Sequence, residues 1–411
     1  MTWLNVKEVE SALVGLAAAH SDLCERITLP NKTFEKRTCS AVRIGSKAGV
    51  GSRIGILFTG SVHGCEWGGA DICVSFASDL LEAVATGSGL AYGGKSFTAG
   101  EVKAITTSLD VFVFPCVNPD GRHYSQQTDP TWRKNRNPAS SGGDPTRIGV
   151  DVNRNFDFLW DFATKMDSLA PGASSDPKHF NYHGTAAASE PETRNVAWLL
   201  DSYPNIRWFM DIHCHKGDVL YSWGDDQDQS DDPSRSFRAT AWDGKRGRAG
   251  DAYREYIPAG DLSDASAAAE RFNGALTAVR GTEYAVIPGF DLYPTSGASD
   301  DYSYSRHLVD ISKAKVYAFT LEYGLSSRPE ENTFQPAWPV MEEIILEVSS
   351  GMVELCLAAR PSPFHWLPIR YRRRWPWELW GPFGRWIWPA LTLAAVVGVA
   401  AIRRALRGRR G

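Results

Sequence analysis

The sequence predicts one α/β domain with a mixed, mostly parallel central sheet flanked by helices, followed by a C-terminal hydrophobic tail. Short apolar runs of strand length alternate with longer amphipathic runs over residues 1–360. This alternation is typical of a sheet that is covered by helices. The chain has 411 residues, of which 43% are hydrophobic and 22% are charged. It can therefore bury the core that one large domain needs.

Taken in order, the predicted elements begin with a helix over residues 6–20 and end with another over 337–359. We interpret residues 217–260, which are rich in Asp, Ser, Arg and Gly, as a long solvated surface insertion. A cation-binding loop is the alternative for this stretch. The other predicted elements are strands at 38–44, 53–59, 109–114, 206–212 and 316–321, and helices at 70–84, 191–201 and 263–280.

The net charge of −4 conceals an uneven distribution along the chain. Residues 370–411 contain ten Arg and one Glu, which leaves −13 for the rest of the protein. A body this acidic binds phosphate backbones poorly, so we expect no nucleic-acid partner.

The cysteines indicate the compartment. There are seven of them, an odd number, without CxxC spacing. This argues against a disulfide framework and for reducing surroundings. The first residues also show neither the basic nor the apolar region of a secretory signal. We therefore expect the domain formed by residues 1–360 to lie in the cytoplasm.

A histidine and a glutamate lie three residues apart where a predicted strand passes into a predicted helix. In this segment, residues 60–69, His63 and Glu66 can turn an imidazole and a carboxylate toward one point. With a third ligand from elsewhere and one open position, such ligands form a catalytic Zn²⁺ site. The spacing alone is common by chance, so the prediction depends on partners elsewhere in the chain.

Two later apolar strands end in side chains that suit such a site. One strand runs into His213 and the other into Glu322. A carboxylate at the end of an apolar strand is costly unless it is paired or takes part in chemistry. A further cluster, formed by Asp151, Asn153 and Arg154, places a carboxylate, an amide and a guanidinium within four residues.

In these motifs and in their order, residues 1–360 resemble the zinc metallocarboxypeptidases of the carboxypeptidase A/B type. The resemblance implies the fold of that family and a zinc-dependent hydrolase. Beyond the His-x-x-Glu pair and the strand-end residues, the matching elements are Asn-Pro-Asp-Gly at 118–121, Trp-Arg-Lys-x-Arg at 132–136, Gly-Val-Asp-x-Asn-Arg-Asn at 149–155, Ser-Glu-Pro-Glu-Thr at 189–193 and a tyrosine loop at 293–302.

The resemblance implies a metal site with a general base beside it. His63, Glu66 and His213 would hold one Zn²⁺ and leave a position for water. Asp151 would accept a hydrogen bond from the far nitrogen of His63, unless it is only a turn residue. Glu322 would take a proton from the zinc water and pass it to the leaving amine.

The resemblance also implies how a peptide end would be bound. Arg133 would stabilise the oxyanion that develops on the scissile carbonyl, although Arg136 could take this role instead. Asn153 and Arg154 would bind the terminal carboxylate, for which a guanidinium is a natural partner. Tyr293 would close over the bound end as a mobile residue.

One position governs the expected specificity. Asp300 lies seven residues after Tyr293, where the family has the floor of the side-chain pocket and B-type members have Asp. A carboxylate there would attract Lys or Arg, so we predict a preference for basic C-terminal residues. The alternative is that Asp300 caps a helix that begins near Tyr302. Cys65 replaces an arginine that digestive members carry just before Glu66, which removes one substrate contact.

The C-terminal part has a different character from the domain. Residues 361–385 form a linker rich in Pro, Arg and Trp, residues 386–402 an uncharged apolar run, and residues 403–411 a basic tail. A helix over the apolar run would span about 26 Å, at the short end of what crosses a bilayer. Flanking Trp and Arg suit the membrane interface. We predict a C-terminal membrane anchor, with an interfacial helix or a partner-docking tail as alternatives.

We therefore predict a membrane-anchored zinc metallocarboxypeptidase that acts on peptide or protein C-termini. One alternative is a zinc amidase, a deacylase or a cell-wall stem-peptide peptidase of the same fold. Another is a membrane-tethered binding protein without catalysis. The intact Glu322 disfavours the binding protein, and the combination of Asn153, Arg154, Tyr293 and Asp300 favours the carboxypeptidase.

Overall fold

An eight-stranded mixed sheet forms the centre of the protein, in a computed structural model that describes residues 3–360. The strands of this part of the chain, numbered in chain order, are β1 Cys24–Thr28, β2 Ser40–Ile44, β3 Ile54–Gly60, β4 Leu90–Tyr92, β5 Lys95–Phe97, β6 Leu109–Phe114, β7 Ile206–Cys214, β8 Asp218–Tyr221, β9 Asp228–Gln229, β10 Glu255–Tyr256, β11 Ala285–Pro288 and β12 Tyr317–Tyr323. The α-helices of the same residues are α1 Val6–Ala19, α2 Gly68–Thr86, α3 Ala99–Ser108, α4 Pro119–Gln127, α5 Phe162–Lys165, α6 Pro191–Ser202, α7 Ala259–Arg280, α8 Gly289–Leu292, α9 Ser299–Val309 and α10 Trp338–Ala359.

The order of the strands across the sheet is β1-β2-β6-β3-β7-β12-β8-β11. The four central strands, β6, β3, β7 and β12, all run parallel. β2 joins them on one side and β8 on the other, both antiparallel. The structure thus confirms the predicted mixed sheet, and it brings the carboxyl ends of the central strands to one edge, where functional groups of such sheets gather.

Both faces of the sheet are buried. Along β3, Ile56 and Phe58 belong to one hydrophobic cluster, which also contains residues of α2, α7 and α10, whereas Leu57 belongs to a second cluster with residues of α6 and α9. Successive side chains of a strand point to opposite faces. A central strand that is apolar on both faces therefore reads as a continuous hydrophobic run, which is how β3 was found in the sequence.

The interpretation of residues 217–260 as a solvated insertion agrees with residues 227–245, which are exposed or half-buried, but it is wrong for residues 217–226, which are buried. This segment contributes β8 to the sheet, and Trp223, Arg246 and Tyr253 within it are fully buried. Polar groups of the segment form hydrogen bonds with one another. The Arg246 guanidinium, for example, donates to Asp243 and to backbone carbonyls. The edge strands β1 and β11 were also not predicted, because they are short and only partly apolar.

The predicted linker 361–385, apolar run 386–402 and basic tail 403–411 lie outside the described residues. Within residues 3–360, none of the helices is both long and apolar enough to cross a bilayer.

Candidate active site

Three neighbouring strands bring the predicted metal ligands and the predicted base to one edge of the sheet. β3 ends at Gly60, and the turn after it carries His63 and Glu66 to the start of α2. His213 and Glu322 lie one residue before the ends of β7 and β12, where they are paired in register. Because these strands are parallel neighbours, all four side chains start from the same edge.

The side chains of His63, Glu66 and His213 converge on one point. His63 Nδ1 lies 2.7 Å from Glu66 Oε1, and His213 Nδ1 lies 2.9 Å from Glu66 Oε2. The two Nδ1 atoms are 3.0 Å apart. Among residues 3–360, this is the one group of three His, Cys, Asp or Glu side chains with mutually close ligand atoms, all within 4.8 Å. All three residues are buried.

A carboxylate faces the far nitrogen of each histidine ring. His63 Nε2 lies 3.2 Å from Asp151 Oδ1, and His213 Nε2 lies 3.0 Å from Asp211 Oδ2. For His63 this contact is a hydrogen bond, which favours hydrogen on Nε2 and leaves Nδ1 as an acceptor. For His213 it is a close contact between the ring edge and a carboxylate, and within residues 3–360 His213 Nε2 has no hydrogen-bond partner of good geometry. The two Nδ1 atoms and the Glu66 carboxylate face one another at hydrogen-bond distance. As acceptors, these groups repel one another unless a cation lies among them. This donor set fits Zn²⁺.

Charges around the ligands keep their carboxylates ionised. Burial alone would raise the pKa of Glu66, but positive charge on the His63 and His213 rings, which a bound cation would replace, outweighs it and holds that pKa well below its usual range. Burial would likewise raise the pKa of Asp151, and here Arg133 first and His63 next hold the pKa low. Both carboxylates are thus in the form that a metal ligand or a histidine partner needs.

The pKa of Glu322 is shifted upward, opposite to the shifts of Glu66 and Asp151. Burial, followed by the neighbouring charge of Glu66, raises the pKa of Glu322 to about 8. The positive charges of His213 and Arg133 oppose this shift, as a metal dication beside them would. Burial therefore favours the protonated carboxyl group of Glu322, and a bound cation would favour the carboxylate.

Arg133 lies at the ligand cluster and Arg136 does not. Arg133 donates through Nε to Asp151 Oδ2 at 2.9 Å, and its Nη1 lies 3.8 Å from Glu66 Oε1. The Arg136 guanidinium instead lies over the Tyr124 ring, with Cζ 3.7 Å from the ring centre. Of the two arginines, Arg133 is therefore the one that borders the ligand cluster.

The residues predicted to bind a peptide terminus lie together. Asn153 Oδ1 accepts a hydrogen bond from Ser299 N at 2.8 Å, which leaves its amide NH₂ for another partner. Arg154 is fixed by a bond from Nε to Gly172 O at 2.9 Å. The Tyr293 ring centre lies 5.9 Å from Arg154 Cζ, and Tyr293 is 46% exposed. The Tyr293 ring is thus partly exposed and lines the same pocket as Asn153 and Arg154.

A small pocket connects these groups with Asp300 and Glu322. Asp300 is buried, and its Oδ2 accepts from Thr320 Oγ1 at 3.0 Å while its Oδ1 accepts from Asp301 N at 2.9 Å. Helix α9 begins one residue earlier, and Ala298 occupies its N-cap without a side-chain bond. Asp300 therefore does not cap that helix, and it faces the pocket instead.

Asp211 was missed in the sequence analysis. It lies two residues before His213 on β7, so the two side chains point to the same face of the sheet. A carboxylate inside an otherwise apolar strand was the signal that could have identified it, because a buried charge needs a partner.

This fold and this ligand cluster define a class of protein: a hydrolase that binds a single zinc ion at the carboxyl ends of a mixed sheet. Residues 9–343 match the zinc carboxypeptidase family, and the chain belongs to that family. The resemblance found in the motifs is thereby confirmed. The protein is a metallocarboxypeptidase that uses one Zn²⁺ and acts on the C-termini of peptides.

Several characterised proteins are similar to this chain. Carboxypeptidase A2 of Rattus norvegicus is 26% identical over 345 residues, which cover 82% of this chain and 69% of that protein. Carboxypeptidase O of Bos taurus is 26% identical over 322 residues, which cover 76% and 71%. The crystal structure of carboxypeptidase A from Helicoverpa armigera has a TM-score of 0.66 at 21% identity, covering 87% of this chain and 74% of its own. That of thrombin activatable fibrinolysis inhibitor has a TM-score of 0.65 at 20% identity, covering 86% and 74%. At these identities the structural likeness shows the fold.

Proposed function

We propose that the protein removes C-terminal Lys or Arg from peptides, with Glu322 as the general base. The observation that supports the basic preference is a buried carboxylate, Asp300, in the pocket that also contains Arg154 and Glu322. The hydrogen bonds and charges around each residue of the pocket indicate its role.

Asp300 lacks a protein cation as a partner. The hydrogen bonds that it accepts come from a hydroxyl and a backbone amide, and within residues 3–360 no Lys or Arg side chain forms an ion pair with it. Burial raises the pKa of Asp300 because the ionised form is not compensated. A substrate ammonium or guanidinium would supply the missing charge, and each carboxylate oxygen keeps a lone pair for it.

The terminal carboxylate of the peptide would be bound at the other side of the pocket. Arg154 offers a guanidinium that is held by Gly172 O, and Asn153 offers an amide NH₂. Tyr293 lies over Arg154, where it would cover the bound terminus and exclude water. These three residues select a free C-terminus, and this favours an exopeptidase over an amidase.

Zn²⁺ bound by His63, Glu66 and His213 would polarise the scissile carbonyl and lower the pKa of the attacking water. Glu322 would accept the proton of that water and deliver it to the leaving amine. The ionised form that this needs is favoured by the positive charges of Arg133 and of a bound cation, which oppose the effect of burial. Arg133 would donate hydrogen bonds to the carbonyl oxygen as negative charge develops on it.

The test is release of the C-terminal residue by the full-length protein from matched short peptides that end in Arg, Lys, Phe or Glu, with and without a zinc chelator. Chelator-sensitive release that favours Arg and Lys is the expected result. Release that favours Phe would overturn the role of Asp300 and keep the mechanism. No release from any peptide, with one zinc bound per chain, would favour the amidase or deacylase alternative.

We further propose that residues 386–402 attach the protein to a membrane and that the catalytic domain lies in the cytoplasm. The apolar run with flanking Trp and Arg supports the first point. The seven cysteines, all free and buried, are compatible with the second. The full-length protein should sediment with membranes after carbonate washing, and Val396→Arg with Val397→Arg should release it. A soluble wild-type protein would contradict the anchor.

A further inference from the structure

Asp211 is a fully buried carboxylate that contacts a predicted zinc ligand. Its Oδ2 lies 3.0 Å from His213 Nε2, and none of its surface is exposed to solvent. Its neighbours on the adjoining strands are Thr59 and Thr320, which are its register partners on β3 and β12. Asp211 therefore lies in the interior of the sheet, one side-chain row behind His213.

Two hydroxyl groups hold this carboxylate in place. Thr59 Oγ1 donates to Asp211 Oδ1 at 2.8 Å, and Ser299 Oγ donates to Asp211 Oδ2 at 2.7 Å. Within residues 3–360, no Lys or Arg side chain is bonded to Asp211, and its charged neighbour is His213. A carboxylate that is buried at such cost and directed at an imidazole serves to fix that ring.

Ser299 also connects Asp211 to Asp151, the carboxylate that faces His63. Its backbone N donates to Asn153 Oδ1 at 2.8 Å, and Asn153 N donates to Asp151 Oδ1 at 3.0 Å. Asp151 Oδ1 faces His63 Nε2. A continuous chain of polar contacts thus runs from His213 through the first residue of α9 to His63.

We propose that Asp211 is a positioning residue for the zinc ligand His213, and that Ser299 couples this ligand to the start of the pocket helix α9. The carboxylate lies 3.0 Å from the Nε2 edge of the ring, and this contact keeps the ring turned so that Nδ1 faces Glu66. Zinc affinity depends on this orientation, because carboxylates behind metal-bound histidines typically change affinity by about 10- to 100-fold. The proposal rests on the zinc site and not on the specificity of the pocket.

The test is zinc affinity of the full-length protein by competition with a chromophoric chelator, without peptide. Asp211→Ala should weaken zinc binding by about 10- to 100-fold. Asp211→Asn keeps the shape and one acceptor oxygen, so that one of the two hydroxyls can still donate to it, and it should recover part of the loss. Ser299→Ala should give a smaller loss, because one bond to Asp211 disappears while the backbone bond to Asn153 remains. Cobalt-loaded Asp211→Asn should also show altered visible absorption.

Asp110 provides the matched control. It is equally buried, at the amino end of β6, and pairs with Arg43 and Arg53. Asp110→Asn should lower the thermal midpoint and leave zinc affinity unchanged. Wild-type affinity in Asp211→Ala, or an equal loss of affinity in Asp110→Asn, would overturn the proposal. If Asp211→Ala does not fold, wild-type affinity and cobalt spectrum in both Asp211→Asn and Ser299→Ala would overturn it. A wrong assignment of peptide preference would not change any of these results.

Discussion

Glu322 and His213 occupy paired positions on adjacent parallel strands. Neighbouring strands in a sheet lie about 4.8 Å apart, so the backbone itself sets the distance between the predicted base and a predicted metal ligand. Both residues lie on central strands of the sheet, which are more rigid than loops. The geometry between proton acceptor and metal site therefore does not depend on loop closure.

Glu322→Gln should abolish most activity and leave the zinc site intact. The amide has the same shape but cannot accept the proton, and general-base catalysis typically contributes about 10²- to 10⁴-fold. We expect kcat to fall within this range, with unchanged zinc content by elemental analysis. Activity within threefold of the wild type would mean that another group accepts the proton.

Arg133→Ala and Arg136→Ala form a matched pair. Loss of a donor to a developing oxyanion typically costs about 10²- to 10³-fold in kcat, and we expect this for Arg133, which borders Glu66. Arg136 packs over Tyr124, so its removal should affect thermal stability more than kcat. Steady-state kinetics on one peptide distinguishes the two. The reverse pattern would transfer the role to Arg136.

Asp300→Asn should reduce the preference for basic C-terminal residues. Loss of one partner of a buried charge pair costs 2 kcal/mol or more, about 30-fold or greater in kcat/KM for Arg peptides. The kcat/KM for peptides that end in Phe should fall much less. The matched control is Asp291→Asn, an exposed carboxylate on the short helix before Tyr293, whose removal should change the ratio little. Equal effects of both variants would point to general attraction by the acidic surface.

The stability of the protein should fall at alkaline pH because of Glu192. This residue is fully buried at the start of α6, with one oxygen bonded to Asn135 Nδ2 and the other without a partner. Burial, followed by the charge of Glu190, raises the pKa of Glu192 to about 8. An acid whose pKa is raised on folding stabilises the protein fully below its unfolded pKa, and this contribution is lost as the pH rises toward 8.

Glu192→Gln imitates the protonated carboxyl and removes this dependence. Between pH 6 and pH 9, the wild type should lose about 3 kcal/mol of unfolding free energy relative to the variant. Denaturant unfolding at both pH values measures the difference. A constant difference between the two proteins would show that Glu192 is already ionised at pH 6.

The sequence was sufficient to find the residues of the His-Glu-His cluster because each of them is marked locally. His63 and Glu66 have a fixed spacing at a strand-to-helix transition, and His213 and Glu322 end long apolar strands that are buried on both faces. Such strands are recognised without knowledge of their neighbours. The central sheet was predicted for the same reason.

The other features of the fold and of the site could not be predicted from local sequence patterns. β8 is four residues long and lies in a polar stretch, and the burial of Arg246 depends on carbonyls and a carboxylate that surround it only after folding. The link between Asp211 and Ser299 joins residues 88 positions apart. Contacts of this kind are decided by strand order and register, which periodicity does not specify.

The position of His213 within the sheet has a consequence for reloading of the metal site. β7 is bonded to β3 on one side and to β12 on the other, and strands in the middle of a sheet open only in the largest fluctuations of a protein. The backbone of His213, which is paired with Glu322 on β12, is therefore held in place, and the ring can leave an ion only by rotation of its side chain. Loss of zinc should therefore leave the strand in place, so that the emptied site could bind the ion again without refolding of the sheet.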